Sequence, residues 1–280
     1  LIERADLSTL WLLGDPVSHS LSPLIQNTAL ALLGETVVYL AARVTARDFS
    51  KVVQSLVALG ALGANITVPH KLRAFELCDR HSPRATLMQA VNTLHFREGE
   101  IYGDNTDGVG WWNALTREFP VEFQRAVVLG AGGASRAVCH TLMANGVEEL
   151  VLLNRTPEKA RRLKDELPSP ERVRIDSLSR FSSYLQDNTL VVQTTSVGLK
   201  GQESPVPLPQ GWPDGCVLSE LIYGRPTELL KRVRSLDGLA QDGLGMLCGQ
   251  AAESLAIWTG RPVTEIPLEK MIEAARKKLS

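Results

Sequence analysis

The stretch VLGAGGASRA, Val128–Ala137, decides the fold. It grows out of AVVLG, Ala126–Gly130, a short and wholly apolar run of the kind buried on both faces of a parallel sheet. GASRAVCHTLMANG, Gly133–Gly146, follows as a helix closed by glycine. A strand that feeds a glycine-rich turn into a helix converts a weak glycine pattern into a dinucleotide-binding one. Gly130 allows the tight turn, and Gly132 lets the backbone approach a pyrophosphate. Gly133 and Ala134 keep open a helix N-terminus whose free N–H groups and dipole attract anions. With Ala131 between them, these residues form the candidate cofactor cradle. The third glycine of the G-x-G-x-x-G pattern is Ser135, a departure expected to loosen the helix–strand packing slightly.

The next strand, ELVLLN, ends in NRTPEKARR, Asn154–Arg162. An NAD enzyme usually carries an acid here for the ribose 2′-hydroxyl. Asn154, Arg155 and Thr156 stand there instead, with Lys159 close behind. A guanidinium forks onto a phosphate, so the turn favours NADP(H).

Outward from this centre, strand-like and helix-like segments alternate along the chain, which argues for an α/β protein with a largely parallel sheet. TLWLLG (Thr9–Gly14), TVVYLA (Thr36–Ala41) and ANITV (Ala64–Val68) read as strands. SPLIQNTALALLG (Ser22–Gly34) reads as a helix with Ser22 as N-cap, Pro23 in the first turn and Gly34 at the end. DFSKVVQSLVALG (Asp48–Gly60) sets Phe49, Val52, Val53, Leu56 and Val57 on one helical face. NTLHF and IYGDN form a hairpin around Gly99. RVRI, NTLVVQ and CVLSELI add strands to the second series, and Met246–Trp258 and Leu268–Leu279 read as helices. The Pro-rich segment Lys200–Pro213 is the longest irregular stretch and is expected to be mobile.

The 280 residues suit two modest domains, at about 100–200 residues each. Hydrophobic residues at 44% and charged residues at 22% argue against disorder. The 30 basic and 31 acidic residues give no global attraction to nucleic acid or an anionic membrane. Cys78, Cys139, Cys216 and Cys248 are widely spaced, without C-x-x-C, so neither a zinc motif nor a disulfide framework is supported. A reducing, cytoplasmic compartment fits, and no apolar run of about 18 residues marks a transmembrane helix. The sequence opens on Leu1 rather than Met, which is compatible with a trimmed leader. His19, His81, His95 and His140 lack metal-ligand spacing and read as structural.

The first half holds a second group of polar residues at strand ends. Ser18 and Ser20 precede a helix N-terminus and suit a carboxylate. Asn65 and Thr67 alternate along one strand, Asn92 opens another, and Asp107 follows Asn105 and Thr106 at a strand-to-helix turn as ligand, cap or both. Ligands of open α/β sheets bind beyond the carboxyl ends of the strands. A pocket dense in hydroxyls and amides, with one Lys–Asp pair, suits a small polyhydroxylated acid. Pro69 breaks the strand, and His70 and Lys71 follow it. Adjacent residues of an extended chain face apart, so one of the two is the candidate acid/base.

SHSLSP, NITVPHK, AVNT, GDNTDG, GAGGASRA, NRT and GLGMLCGQAA, in this order, resemble the shikimate dehydrogenase family across nearly the whole chain. The resemblance implies NADPH-dependent, reversible reduction of 3-dehydroshikimate to shikimate, a step toward chorismate and the aromatic amino acids. It implies an α/β substrate domain built from both chain ends, residues 1–110 plus 246–280, around an inserted Rossmann-type NADP-binding domain, residues 111–245. It assigns the substrate carboxylate to Ser18 and Ser20, and the ring hydroxyls or neighbouring groups to Asn65, Thr67, Asn92, Asp107 and Gln250, with Tyr223 a further ligand. Lys71 becomes the catalytic acid/base, paired with Asp107. Gly130–Ala134 hold the pyrophosphate and Asn154, Arg155 and Thr156 the 2′-phosphate, while Gly243 and the Leu221 region approach the nicotinamide. Glu220 and Gln193 depart from the family pattern, where Asp and Asn are expected. Lys71 remains open as orienting cation or as proton donor. A quinate/shikimate enzyme with NAD use, a non-catalytic NADP(H)-binding protein and a nucleic-acid-binding protein stay as alternatives. A small-molecule substrate, no metal, and a monomer or homodimer complete the expectation.

Overall fold

The computed structural model describes residues 8–199, 201 and 203–280. The chain divides into two compact units, Leu1–Gly110 with Leu247–Ser280, and Trp111–Met246.

The sheet of the first unit contains β1 (Ser8–Gly14), β2 (Val37–Arg43), β3 (Gly63–Ile66), β4 (Arg80–His81), β5 (Thr93–Arg97) and β6 (Glu100–Asp104), in the order β2-β1-β3-β5-β6-β4. β1 pairs parallel with β2 and β3, whereas β5 runs antiparallel to β3 and β6. The β5–β6 hairpin closes through Glu98 and Gly99, both at positive φ, as a two-residue turn matched to strand twist requires. β3 is buried along its whole length. Gly63 is required there, because Trp258 comes close enough to donate its indole N–H to Leu94 O at 2.9 Å.

The helices α1 (Ser22–Leu33), α2 (Phe49–Ala58), α3 (Lys71–Leu77) and α4 (Pro83–Met88) connect these strands. α2 buries Phe49, Val53 and Leu56 and half-buries Val52 and Val57, the face its periodicity predicts. α1 ends at Gly34, which is left-handed with φ 71°. Its start differs from expectation: Leu21 occupies the N-cap position and Ser22 is the first helical residue. Of the first two helical residues only Ser22 has an N–H, because Pro23 has none, and the Ser20 hydroxyl accepts it at 3.1 Å. α3 and α4 follow no pattern read in the sequence.

α5 (Asp107–Glu118) leads into the second unit. Its strands β7 (Arg125–Leu129), β8 (Glu149–Leu153), β9 (Val173–Asp176), β10 (Thr189–Gln193), β11 (Val217–Glu220) and β12 (Leu239–Gln241) form a wholly parallel sheet in the order β12-β11-β10-β7-β8-β9. Counted within the unit this is the doubly wound order of dinucleotide-binding sheets, with the switch point between β7 and β10. α6 (Gly133–Ala144), α7 (Pro157–Asp165) and α8 (Glu228–Arg234) belong to it. Alternate residues of one strand enter different cores: Val128 and Leu152 pack with Val138 and Leu142, whereas Val127, Leu129 and Val151 pack with Phe181 and Leu218. That double burial is why AVVLG is apolar throughout. Between β10 and β11 the described residues carry no helix or strand, and Lys200 and Gln202 of that stretch lie outside the described set. α9 (Leu244–Thr259) returns the chain to the first unit, where α10 (Leu268–Leu279) ends it.

Candidate active site

Lys71 is the first residue of α3, and Asp107 is the first of α5. Lys71 Nζ donates to Asp107 Oδ2 at 2.5 Å, a short charge-assisted bond. The two side chains are 30% and 13% exposed, so the pair is sheltered yet reachable by a small molecule. Asp107 does not cap its helix with its own carboxylate. Its second oxygen, Oδ1, accepts from Asn92 Nδ2 at 2.8 Å, while Asn105 Oδ1 accepts the Asp107 N–H at 3.2 Å.

His70 points elsewhere. It stands at the N-cap of α3, 1% exposed, with its ring stacked on Phe49 at 4.5 Å between centroids. Its Nε2 lies 2.7 Å from Val44 O. A carbonyl only accepts, so this nitrogen carries the proton.

Behind Asp107 lies a closed set of hydrogen bonds. Asn92 Oδ1 accepts from Thr106 N–H and Thr93 Oγ1, each at 2.8 Å. Thr93, Thr106 and Ser254 bring three hydroxyls together, with Ser254 Oγ 2.8 Å from Thr93 Oγ1 and 3.1 Å from Thr106 Oγ1. Asn65 donates Nδ2 to Ser254 Oγ at 3.0 Å and accepts from Tyr39 O–H at 2.8 Å. Burial pushes the Tyr39 phenol well above its ordinary ionisation range, so it remains a donor. Thr106 Oγ1 also donates to Gln250 O at 3.0 Å, which ties this turn of α9 to the cluster. Polar side chains buried together in this way are stable because each has a partner.

The structure thus brings Lys71, Asp107, Asn92, Asn65 and Gln250 into one network. Gln250 Oε1 is at the long limit of 3.5 Å from Asn92 Nδ2. Thr67 stands one residue past β3, not within it, and Ser18 and Ser20 lie on the exposed loop before α1. Tyr223 belongs to the second unit. Sequence reasoning missed Thr93, Ser254 and Tyr39. Ser254 was findable, since it follows Gln250 by four positions and so shares its helical face.

In the second unit the glycine turn is built around Ser135. Gly130 has φ 112°, and a Cβ there would sit 2.8 Å from Thr194 Oγ1, so only glycine fits. Ser135 is fully buried and accepts the Gly132 N–H at 3.0 Å. Its hydroxyl lies 2.6 Å from Thr194 Oγ1, which donates to Leu129 O at 2.7 Å. The expected loosening at Ser135 is therefore replaced by a bond from helix to strand end, a gain glycine could not give. A Cβ at Gly132 or Gly133 would meet nothing within 4 Å, and the N-cap residue Gly132 has no side chain to cover the N–H groups of the first turn of α6. This open cradle fits a pyrophosphate. At the next turn, Asn154 Nδ2 donates to Thr156 O at 2.8 Å, which shapes the loop. Arg155 and Lys159 are exposed, and among the described residues neither has an ion-pair partner. That donor set fits a phosphate. Gly243 N–H donates to Ile222 O at 3.1 Å and packs on the Leu221 carbonyl.

Comparison with known proteins gives a consistent result. The family model described as the shikimate dehydrogenase substrate binding domain matches residues 12–94. That of shikimate / quinate 5-dehydrogenase matches residues 114–199, and that of the shikimate 5′-dehydrogenase C-terminal domain matches residues 243–276. Shikimate dehydrogenase (NADP(+)) of Methanopyrus kandleri is 37% identical, covering 98% of this chain and 97% of its own. The protein of the same name from Moorella thermoacetica is 38% identical, with 97% and 95% covered. The crystal structure of shikimate 5-dehydrogenase from Thermus thermophilus in complex with NADP(H) and shikimate is similar at a TM-score of 0.85 and 33% identity, covering 96% of this chain and 99% of that one.

Proposed function

Because the chain belongs to the shikimate dehydrogenase family, we propose that its two polar constellations carry out the family's reaction with the residues named above. The protein is an NADP(H)-dependent oxidoreductase acting on a CH–OH group, and it interconverts 3-dehydroshikimate and shikimate. The observation that carries the assignment of roles is the 2.5 Å Lys71–Asp107 pair held from behind by Asn92.

Bound NADPH supplies the hydride. Lys71 meets the negative charge that develops on the ketone oxygen and delivers the proton that makes it a hydroxyl. Asp107 holds the ammonium in place, and in the oxidative direction Lys71 takes the hydroxyl proton back. Asn92 fixes the Asp107 carboxylate, so no group must reorient as the charge forms. Ser18 and Ser20 receive the substrate carboxylate, and Asn65, Thr67, Asn92, Gln250 and Tyr223 its hydroxyls. Gly130, Ala131, Gly132, Gly133 and Ala134 hold the pyrophosphate. Asn154, Arg155, Thr156 and Lys159 hold the 2′-phosphate, and Leu221 and Gly243 border the nicotinamide. The two unpaired cations at Arg155 and Lys159 support NADP(H) over NAD. Among the described residues no helix is long and apolar enough to cross a membrane. The four cysteines are free, which fits a reducing, cytoplasmic place of action, and the assembly we propose is a monomer or homodimer.

The test follows the near-ultraviolet absorbance of reduced nicotinamide with shikimate or quinate and with NADP⁺ or NAD⁺. Shikimate with NADP⁺ gives the highest kcat/KM. A higher value with quinate and NAD⁺ overturns this reading.

A further inference from the structure

Glu220, the last residue of β11, is 1% exposed. Its two carboxylate oxygens reach forward along the chain. Oε1 accepts the Ile222 N–H at 3.0 Å, and Oε2 accepts the Thr227 hydroxyl at 2.8 Å. Thr227 in turn caps α8, accepting the Leu230 N–H at 3.2 Å. One side chain thus ties the start of the segment Leu221–Thr227 to its end. The same backbone is held from two more sides: Leu221 N–H donates to Gln193 O at 3.1 Å, and Ile222 O accepts the Gly243 N–H at 3.1 Å. Between the two ends stands Tyr223, and beside them are Leu221 and Gly243.

We propose that Glu220 is a positioning residue for the hydride transfer, its carboxylate fixing where the Leu221–Tyr223 backbone stands without touching substrate or cofactor. The proposal rests on the roles given above to Leu221, Tyr223 and Gly243.

The clamp responds to pH. Burial pushes the Glu220 carboxyl up to about 7, and the nearby Asp242 charge adds to the rise, against the opposing bonds from Ile222 and Thr227. The groups facing it from other elements are otherwise neutral or turned away. Gln193, its register partner on β10, spends its amide on Thr195 and Val197. Ser219 is engaged by Trp111 and Gln241, and Asp242 accepts the Leu244 N–H. Glu228, just past Thr227, is turned to Lys231. The ionised carboxylate accepts both bonds fully, whereas protonation removes acceptor strength from one oxygen. The segment is therefore held best above neutral pH. Stability moves the opposite way. Between the usual Glu value of 4.5 and about 7, the folded chain keeps a proton that the unfolded chain has released, so stability falls as pH rises through this window.

The test compares Glu220→Ala and Glu220→Gln with the wild type across pH. Glu220→Ala removes both charge-assisted bonds and lowers kcat by about tenfold or more. Glu220→Gln keeps length and one acceptor, so it recovers kcat to within about threefold of wild type. It also removes the ionisation near neutrality from the kcat profile. Thermal unfolding supplies a readout that needs no substrate: Glu220→Gln gains stability over wild type at about pH 8.5 and not at about pH 4. If Glu220→Ala does not fold, the glutamine variant's pH profile and unfolding curves decide alone. Turnover in wild type with unchanged kinetics in Glu220→Ala, or a pH profile unchanged in Glu220→Gln, overturns this proposal and leaves the function standing. Absence of shikimate turnover in wild type overturns the function and this proposal with it.

Discussion

Lys71 and Arg155 are both cations where a strand gives way to a helix, Lys71 as the first residue of α3 after β3, Arg155 in the turn between β8 and α7. Their surroundings differ. Lys71 is bonded to Asp107, which is bonded to Asn92, which is bonded to a cluster of buried hydroxyls. Arg155 is exposed, and no described residue pairs with it. The first arrangement is complete before any ligand arrives, and so can act on a developing charge without reorganising. The second has no partner among the described residues, so on the proposed reading it contributes to cofactor affinity. Changes in the first unit's network should therefore appear in kcat and stability, and changes at the Arg155 turn in cofactor affinity alone.

The largest break comes at Lys71. Lys71→Ala is expected to cut kcat by about a hundredfold or more, as loss of a general acid/base does, while circular dichroism reports an intact fold. Asp107→Asn should lose activity as well. An alanine variant with near-wild-type kcat, or one whose only defect is NADPH affinity, would erase the contrast between the two turns.

Arg155→Ala is the counterpart. A charge-assisted hydrogen bond is worth roughly 1.5–3 kcal/mol, so NADP(H) should bind about 10- to 150-fold more weakly. NAD(H) affinity, kcat at saturation and Tm should stay near wild type, because the exposed side chain holds nothing else. Cofactor titration by fluorescence, with each nucleotide, checks this. Equal weakening of both nucleotides would mean that Arg155 shapes the turn and does not read the phosphate.

The glycine turn sharpens the comparison within one motif. Gly130→Ala forces a side chain onto φ 112° and against Thr194, at a cost of about 1–3 kcal/mol in stability. Gly132→Ala and Gly133→Ala meet open space, so they should spare Tm and weaken cofactor binding. Chemical denaturation of the three variants separates the two roles. If all three lose stability alike, the cradle is not open.

These features were unequally legible in the sequence. The glycine turn and the double-sided burial of β7 could be read because each demands particular residue types at adjacent positions. α3 and α4, at 7 and 6 residues, are too short to show a helical period, and α3 begins directly after a proline turn. The role of Ser135 depends on Thr194, 59 residues on, and that of Ser254 on Thr93, 161 residues back. No local pattern carries such pairings. The sequence misplaces the start of α1 by one residue because SLSP offers two serines as caps, whereas Leu21 takes the N-cap position and Ser20 accepts the Ser22 N–H.

The smallest expected effect on turnover tests the sequence's least decided residue. His70 and Lys71 are adjacent, and the chain separates them by starting a helix between them: His70 sits at the N-cap position with its ring turned into the core, and Lys71 opens the first turn toward the carboxylate. His70→Phe keeps the stacking on Phe49 and removes the donor to Val44 O. A buried acceptor left unsatisfied costs about 1–3 kcal/mol, so Tm should fall while kcat stays within about threefold of wild type. A kcat loss on the scale of Lys71→Ala with unchanged Tm would move the proton transfer to the histidine. The imidazole's fixed place under Phe49 argues against that outcome, because an acid that serves the substrate must reach it, and this one is turned into the protein.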